Sequence, residues 1–506
     1  MEVTGLSRRG LILLSTVAWG LAAHGYMFFN KFSFHDDVKL PFHIGATFTS
    51  GRWFLGALKW FTENCLGGLF SLPFFNGMIS VLFVALSACL IADLLGLRRR
   101  LSCICLAGVM VTFPAFTSTL GYMFTSPFYM AGLLMAVAGT YLVCMNHFKL
   151  SVPLGCFMCA CSIGVYQAGL PMMLSLMLIY AIHRIIEEES EFPFWREGIR
   201  LALSVIFILL IYVGINHLCL HIADKQLSDY ETISTYGFDG WKEYINRIRT
   251  AYYEFFVTPR GKMRNMFPQP PIEILHLAIV AFGASLAVVR AVQLGIRKLC
   301  ALKFLFMMLV FPITACFAFI MINSHLTHSL MMYSRVSVFI LFLVLLESAY
   351  EDIHIPRWTY RAGITAVICV ALFYCRFANI CYFKAEFQQS QAISYFTRLV
   401  SHIESVKGYN PEYPVAFLNE RNKQGFSAPK IPEFDEIHLL PYYFTDQNLM
   451  INNYAWKSFM RMWCGYAPIV IENTERIQRL PEVLTMPRYP ADGSILVIDN
   501  TVVVKF

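Results

Sequence analysis

Charge is what this sequence has least of. Asp, Glu, Lys and Arg make up 14% of its 506 residues, against roughly 25% in an average soluble chain. That shortfall excludes a globular protein with an ordinary hydrated surface. No Gly-rich phosphate loop of the GxxxxGK[ST] type occurs, which speaks against direct coupling to nucleotide hydrolysis, and no nucleotide is expected as cofactor. Internal repeats and low-complexity tracts are missing as well. The net charge of +7 is ordinary for a chain with basic loops and gives no reason to invoke nucleic acid. Cysteine, at fifteen residues, is not scarce, but most copies lie inside apolar runs. Cys156, Cys159 and Cys161 mimic a metal-ligand spacing without a His or an acid nearby, and read as small buried hydrophobes. Cys65, Cys381 and Cys464 fall in polar regions, where pairing stays open.

What is present instead is hydrocarbon: 57% of residues are hydrophobic and 15% aromatic. A bilayer core of about 30 Å is crossed by roughly 20 apolar residues in a helix. Windows of this kind lie near 11–29, 72–96, 101–119, 127–146, 151–166, 169–186, 199–221, 272–292, 303–323, 333–350 and 361–380. The expected fold is therefore a polytopic α-helical membrane protein with about eleven transmembrane helices. The fifth and sixth windows read as a tight hairpin turning near Gln167 to Pro171. The first is long enough to span and reads as a retained helix.

Short loops rich in Lys and Arg mark the cytoplasmic side. Arg8, Arg9, Arg98 to Arg100, Lys149, Arg184, Arg196, Arg200, Arg290, Arg297, Lys298, Lys303, Arg357 and Arg361 share one side if the spans are eleven. The N-terminus is then cytoplasmic. Residues 30–71 and 222–271 become external loops of a membrane domain over 1–380, and residues 381–506 become an external domain. In that tail Ala392, Phe396, Leu399 and Ile403 recur at helical spacing, and "SILVIDNTVVVKF" reads as two strands around Asp499 and Asn500, so a small α/β fold is expected.

Three polar regions on the external side carry the candidate chemistry. In "FNKFSFHDDVKLPFH" the chain leaves its first apolar run and places His35, Asp36 and Asp37 at the boundary. Consecutive side chains cannot both point the same way, so one carboxylate can face a reacting group while the other binds a cation, a basic side chain or a backbone N–H. A solvated loop or a helix cap is the bland alternative. Hard oxygen ligands suit Mg²⁺ or Mn²⁺, yet two carboxylates alone do not make a metal site. From Arg52 to Phe61 aromatic and basic residues alternate in a pattern suited to a helix in the headgroup region, with Trp53 and Trp60 as interfacial anchors or sugar-stacking platforms. The second loop holds Lys242, Arg247, Arg249, Arg260, Lys262 and Arg264, an anion site or a contact with anionic headgroups. The third region, "NSHLTHSLMMYSR", offers His325, His328 and Arg335; Arg335 either snorkels to the surface or faces a polar cavity. Tyr166 and Gln167 join the same plane from the hairpin turn.

The layout resembles the GT-C class of membrane glycosyltransferases. More narrowly, "FHDDV", "GVYQAG", "MMYSRV" and "YFKAEFQQSQAISYFTRL" resemble the bacterial glucosyl transferase II family, related to phage-encoded serotype-converting O-antigen glucosyltransferases. The resemblance implies a multi-pass enzyme of the bacterial cytoplasmic membrane that takes a sugar, glucose by analogy, from a polyprenyl-phosphate carrier and attaches it to a surface polysaccharide. Asp36 or Asp37 would then be the base that deprotonates the acceptor hydroxyl, and Arg335 with the basic loop would hold the phosphate. A transporter of lipid-linked saccharide is the rival from another class; it calls for ionisable residues at mid-membrane, whereas His24, Asp93, Arg290 and Glu347 lie near span ends. A polysaccharide polymerase or ligase is the third reading, separated by its lipid-diphosphate oligosaccharide donor.

Overall fold

The computed structural model describes residues 7–32, 36–39, 47–228, 240–256, 270–295, 298–322, 327, 329–418, 425–427 and 449–506. These divide into two units, one built from residues up to Lys31 and from Phe42 to Ile380, the other from Phe32–Pro41 and most of the chain after Cys381. In chain order the helices are α1 (Arg8–Phe29), α2 (Asp36–Lys39), α3 (Trp53–Cys65), α4 (Pro73–Leu94), α5 (Arg100–Thr112), α6 (Pro114–Leu120), α7 (Ser126–Met145) and α8 (Ser151–Val165). They continue as α9 (Gly169–Glu188), α10 (Phe194–Ile222), α11 (Trp241–Phe256), α12 (Pro270–Leu294), α13 (Lys298–Ala315), α14 (Ala318–Met321), α15 (Ser337–Asp352) and α16 (Arg357–Ser405). A 3₁₀ segment, Ser329–Val336, leads into α15.

Each apolar window of the sequence holds helix, but the windows are not equal. Among the described residues eight helices are long and apolar enough to cross a membrane, nine if α5 and α6, bent by 44°, form one span. The bend follows from "TFPAF": Pro114 has no N–H to donate and drives Phe113 to an extended ψ of 135°. Helices α8 and the apolar part of α13 are shorter than a full span, so the expected count of eleven is not reached on length alone.

Charges in the first unit collect where helices begin and end. Arg8 and Arg9 at the start of α1 both bind Asp93 near the end of α4, Arg9 at 2.6 Å. Glu347, late in α15 and 4% exposed, accepts the backbone N–H groups of Arg98 and Arg99 at 2.6 and 3.1 Å. Arg99 also pairs with Glu351 at 3.1 Å and lies over the Tyr350 ring at 4.1 Å. Late in α12, Arg290 donates to Asp352 at 2.9 Å and to the Ile186 carbonyl, late in α9, at 3.0 Å. Arg200, early in α10, donates to the Cys144 carbonyl near the end of α7 at 3.2 Å. A buried carboxylate or guanidinium without such partners would cost several kcal/mol, on the order of the whole stability of a small domain. These pairs therefore fix which helix ends are neighbours.

Small residues set the closest packing. A Cβ on Gly139 of α7 would lie 2.6 Å from both the Gly155 carbonyl oxygen and Cys159 Sγ of α8, and a Cβ on Gly155 would meet the Gly139 carbonyl at 2.6 Å. The two backbones touch there, as small residues permit in membrane helices. Cys159 lies at this contact, Cys156 donates to the Ser204 carbonyl of α10, and both are buried with Cys161; all fifteen cysteines are free thiols. Helices α8 and α9 then run antiparallel. Gly169 sits against Ser162 at the turn, and Tyr180, further along α9, donates to the Cys144 carbonyl at 3.2 Å.

The second unit is a small α/β fold. Strands β1 (Val415–Leu418), β2 (Gly425–Ser427) and β3 (Leu449–Asn452) precede helices α17 (Trp456–Trp463) and α18 (Pro481–Thr485), then β4 (Ile495–Ile498) and β5 (Thr501–Lys505). One sheet has the order β1-β5-β4, with β1 parallel and β4 antiparallel to β5; β2 and β3 pair separately. The turn between β4 and β5 is made by Asp499 and Asn500 at φ values of 47° and 58°, a two-residue turn with both residues left-handed. Alternate β-residues face two cores. Val415, Phe417, Val502 and Val504 pack with Phe396, Leu399 and Ile403 of α16 and with Trp456, while Ala416, Leu418 and Val503 pack with Val483 and Met486. Coverage on both faces is why β5 reads as a continuous valine run. Lys505 finishes the strand by donating to the Val483 and Met486 carbonyls at 2.7 and 2.9 Å, satisfying groups at the end of α18.

Gly139→Ala should lower the stability of the helical unit by roughly 1–3 kcal/mol through overpacking. Gly198→Ala, where an added Cβ meets nothing within 4 Å, should leave it unchanged or slightly improved. Thermal unfolding in detergent reads the difference.

Candidate functional site

The Asp pair sits on α2, a single turn with sequence DDVK. Val38 belongs to the core of the second unit together with Trp456 and Phe396, and this side chain fixes the rotation of the turn. Successive helical residues are separated by about a quarter-turn or more, so Asp36 and Asp37 leave in different directions. Asp37 is only 1% exposed. Asp36 is partly exposed, and its Oδ1 accepts a hydrogen bond from the Tyr454 hydroxyl at 3.0 Å. These contacts explain why residues 32–41 group with the second unit although helical segments of the first flank them in sequence. For a cation the fit is poor. A hydroxyl donor already occupies one oxygen of Asp36, and among the described residues no three His, Cys, Asp or Glu side chains converge.

In the first unit the hairpin turn between α8 and α9 organises a second polar group. Gln167 Nε2 donates to the Ser50 carbonyl at 2.8 Å, and Tyr212 donates to the Gly51 carbonyl at 3.1 Å. Gly51 has φ of 72°, and a Cβ there would come within 2.6 Å of the Tyr212 hydroxyl, so glycine is required both by conformation and by space. Next in the chain, Arg52 donates to the Tyr129 hydroxyl at 3.2 Å and lies 5.1 Å from the Tyr166 ring centre, while Tyr129 and Tyr166 stack at 4.7 Å. Gln167 thus positions the chain at the start of α3, and Tyr166 is half of an aromatic pair under a guanidinium. The cavity beside them, lined by Thr119, Ser162, Tyr166 and Tyr333 among others, holds about 40 Å³. That volume suits a water or two and is far too small for a hexose.

For Arg335 burial removes one of the two sequence expectations, snorkelling to the surface. The side chain is 1% exposed, Nη1 donates to the Glu254 carbonyl at 2.7 Å and to Cys316 Sγ at 3.4 Å, and Phe255 lies 5.9 Å away. The guanidinium ties the end of α11 to the start of α15. Arg247 is likewise engaged, with Glu243 at 3.2 Å and with the Ile320 carbonyl at 3.3 Å, whereas Arg249 on the same helix is exposed. Trp53, expected at the headgroups, is buried, and a Cβ on Gly164 would meet its ring at 2.6 Å; Trp60 remains 64% exposed. His35, Arg260, Lys262, His325 and His328 lie outside the described residues.

No spacing or motif in the sequence points to Tyr454, Tyr129 or Glu254, and Arg52 reads only as part of an interfacial pattern. Tyr454 lies 418 positions from Asp36, and no spacing rule links residues that far apart. Arg52 carried a weak signal, since it follows a glycine and precedes the first tryptophan of an amphipathic run.

Replacing Gln167 with Leu removes a partner from the Ser50 carbonyl and should cost about 1.4 kcal/mol locally. Amide hydrogen exchange of residues 48–52 should accelerate roughly tenfold, with the exchange of α8 unchanged.

A family model described as Glucosyl transferase GtrII matches residues 25–348. No curated protein and no solved structure matches the chain. The match takes in α2, the Arg52 group, α11 and Arg335, and it spans more than half of the sequence: the chain belongs to the GtrII glucosyl transferase family.

Proposed function

We propose that this protein moves glucose from a polyprenyl-phosphate carrier to a surface polysaccharide such as O-antigen, on the external face of the bacterial cytoplasmic membrane. The observation that carries the reading is the family match over a segment that includes a partly exposed Asp36 held by a neutral hydroxyl donor. Membership supplies glucosyl transfer. The carrier follows from chemistry: nucleotide sugars are cytoplasmic, so a donor used on the outer side of the membrane has to arrive attached to lipid.

In this reading α8 and α13 cross the membrane with the longer helices, making eleven crossings. The basic helix ends around Arg8, Arg99, Arg200 and Arg290 face the cytoplasm, in keeping with the positive-inside rule. Residues 1–380 form the membrane catalytic domain with external loops at 30–71 and 222–271, and residues 381–506 form the extracytoplasmic domain.

The reaction is an in-line displacement. The acceptor hydroxyl oxygen attacks the anomeric carbon of glucose as its proton passes to a carboxylate. The bond from that carbon to the phosphate oxygen breaks, and the electron pair leaves with the polyprenyl phosphate. Access favours Asp36 as the base. Asp37, nearly sealed from solvent, positions the turn. Among the basic residues of the second loop, Arg249 is exposed and free to meet a phosphate, with Arg260 and Lys262 as further candidates; His35, His325 and His328 are candidates for sugar hydroxyls. Arg335, already bound to protein groups, acts on the phosphate only by fixing α11. The transporter reading gains nothing from Asp93, Arg290 and Glu347, which are all paired near helix ends.

Purified protein in lipid, given polyprenyl-phosphate glucose and a surface-polysaccharide acceptor, should transfer glucose. Asp36→Asn should lower kcat by about 10²- to 10⁴-fold, the usual contribution of a general base. Tyr454→Phe should reduce it by less than tenfold. Full activity in both Asp36→Asn and Asp37→Asn, each folded, would remove the pair from the chemistry.

A further inference from the structure

Within the first unit the described residues include an apolar groove of about 300 Å³, far larger than the cavity beside Tyr166. Its walls are the middle of α12 around Gly283, Ala284 and Ala287, the middle of α13, and the middle of α15 from Val338 to Leu345; Phe255 and Phe256 at the end of α11 contribute one margin. Two features of sequence make the space. Gly283, Ala284 and Ala287 place three small residues along one region of α12, and a Cβ on Gly283 would meet only Phe342, at an ordinary 3.4 Å. Pro312 inside α13 cannot donate to the Met308 carbonyl, which loosens that helix where it lines the groove.

The polar surroundings of the groove lie at its α11 margin. Phe255, which lines it, lies 5.9 Å from the Arg335 guanidinium, and Arg335 stands one helical turn before Val338. Helix α11 is laid across α13 by the Tyr252 hydroxyl, which donates to the Leu309 carbonyl at 2.5 Å. The same helix exposes Trp241, Ile245, Ile248 and Phe256 on an apolar stripe and Lys242 and Arg249 beside it, the pattern of a helix lying in a membrane interface. An apolar slot at mid-helix depth, bordered by the end of a helix that carries exposed Lys242 and Arg249 further along its length, complements a ligand that has an anionic head and one slender hydrocarbon tail.

We infer that this groove holds the isoprenoid chain of the lipid carrier, with the phosphate at the α11 margin, and that Gly283, Ala284 and Ala287 determine which lipid chain is accepted. The inference rests on the lipid-linked donor proposed above. It adds a location and a selectivity determinant, neither of which depends on which aspartate is the base.

The test uses full-length protein in nanodiscs and a polyprenyl phosphate carrying a diazirine on the isoprene nearest the phosphate, without any sugar. Illumination should attach the probe to α12 and α15 at the groove-lining residues, as read by peptide mass spectrometry. Gly283→Leu and Ala287→Leu should each lower that labelling at least tenfold, while Val292→Leu, at a position of α12 that is 72% exposed, should leave it within twofold. Unlabelled polyprenyl phosphate should compete, and a diacyl phosphatidylglycerol at the same concentration should not. Labelling that ignores the filled groove, or that both lipids compete for equally, would overturn the inference and make the slot an ordinary annular lipid site. Because the probe carries no sugar, labelling as expected alongside no glucose transfer would sink the proposed reaction and leave the groove assignment standing.

Discussion

A hydrocarbon solvent offers no partner to an unpaired charge, and the rest of this structure follows from that constraint. The chain has few charges, and several of those in the helical unit fix helix ends: Asp93 with Arg8 and Arg9, Glu347 with the N–H groups before α5, Arg290 with Asp352. Between these ends the helices associate without a hydrophobic driving force, since lipid tails are as apolar as their side chains. Close backbone contact takes its place, as at Gly139 and Gly155. Where the small residues of α12 face the loosened stretch of α13 instead of a tightly packed neighbour, a groove is left.

The candidate polar groups therefore lie in loops, on α11 and in the second unit. The Asp pair illustrates the division. A one-turn helix is not stable by itself, so its position comes from Val38 in an aromatic core and from a tyrosine hydroxyl on Asp36. In the helical unit the hairpin turn performs the same service for the chain before α3, through Gln167 and Tyr212. In each case a residue far away in sequence holds a short polar stretch that could not hold itself.

Much of this was legible in the sequence, for identifiable reasons. Hydropathy windows found the helices because a span needs an apolar run whatever its neighbours are. The two apolar runs of "SILVIDNTVVVKF", broken at Asp499 and Asn500, point to β4, the turn and β5 because strand and turn preferences are local. What stayed hidden depends on tertiary partners. Trp53 reads as an interfacial anchor until Gly164 is seen to leave room for its ring. Arg335 reads as a surface or cavity residue until the Glu254 carbonyl and Cys316 are placed beside it. The pairing of Tyr454 with Asp36 spans most of the chain, and no period or motif announces it.

The proposed reaction is a single displacement at the anomeric carbon, assisted by a carboxylate base. The configuration of the product tests this most directly. Glucosylated polysaccharide made from a polyprenyl-phosphate glucose of defined anomeric form should carry glucose of the opposite anomeric configuration, read from the proton–proton coupling of its anomeric signal. Retention of the donor's configuration would mean either two successive displacements through a covalent glucosyl intermediate or attack from the face the phosphate leaves, and would contradict the role given to Asp36.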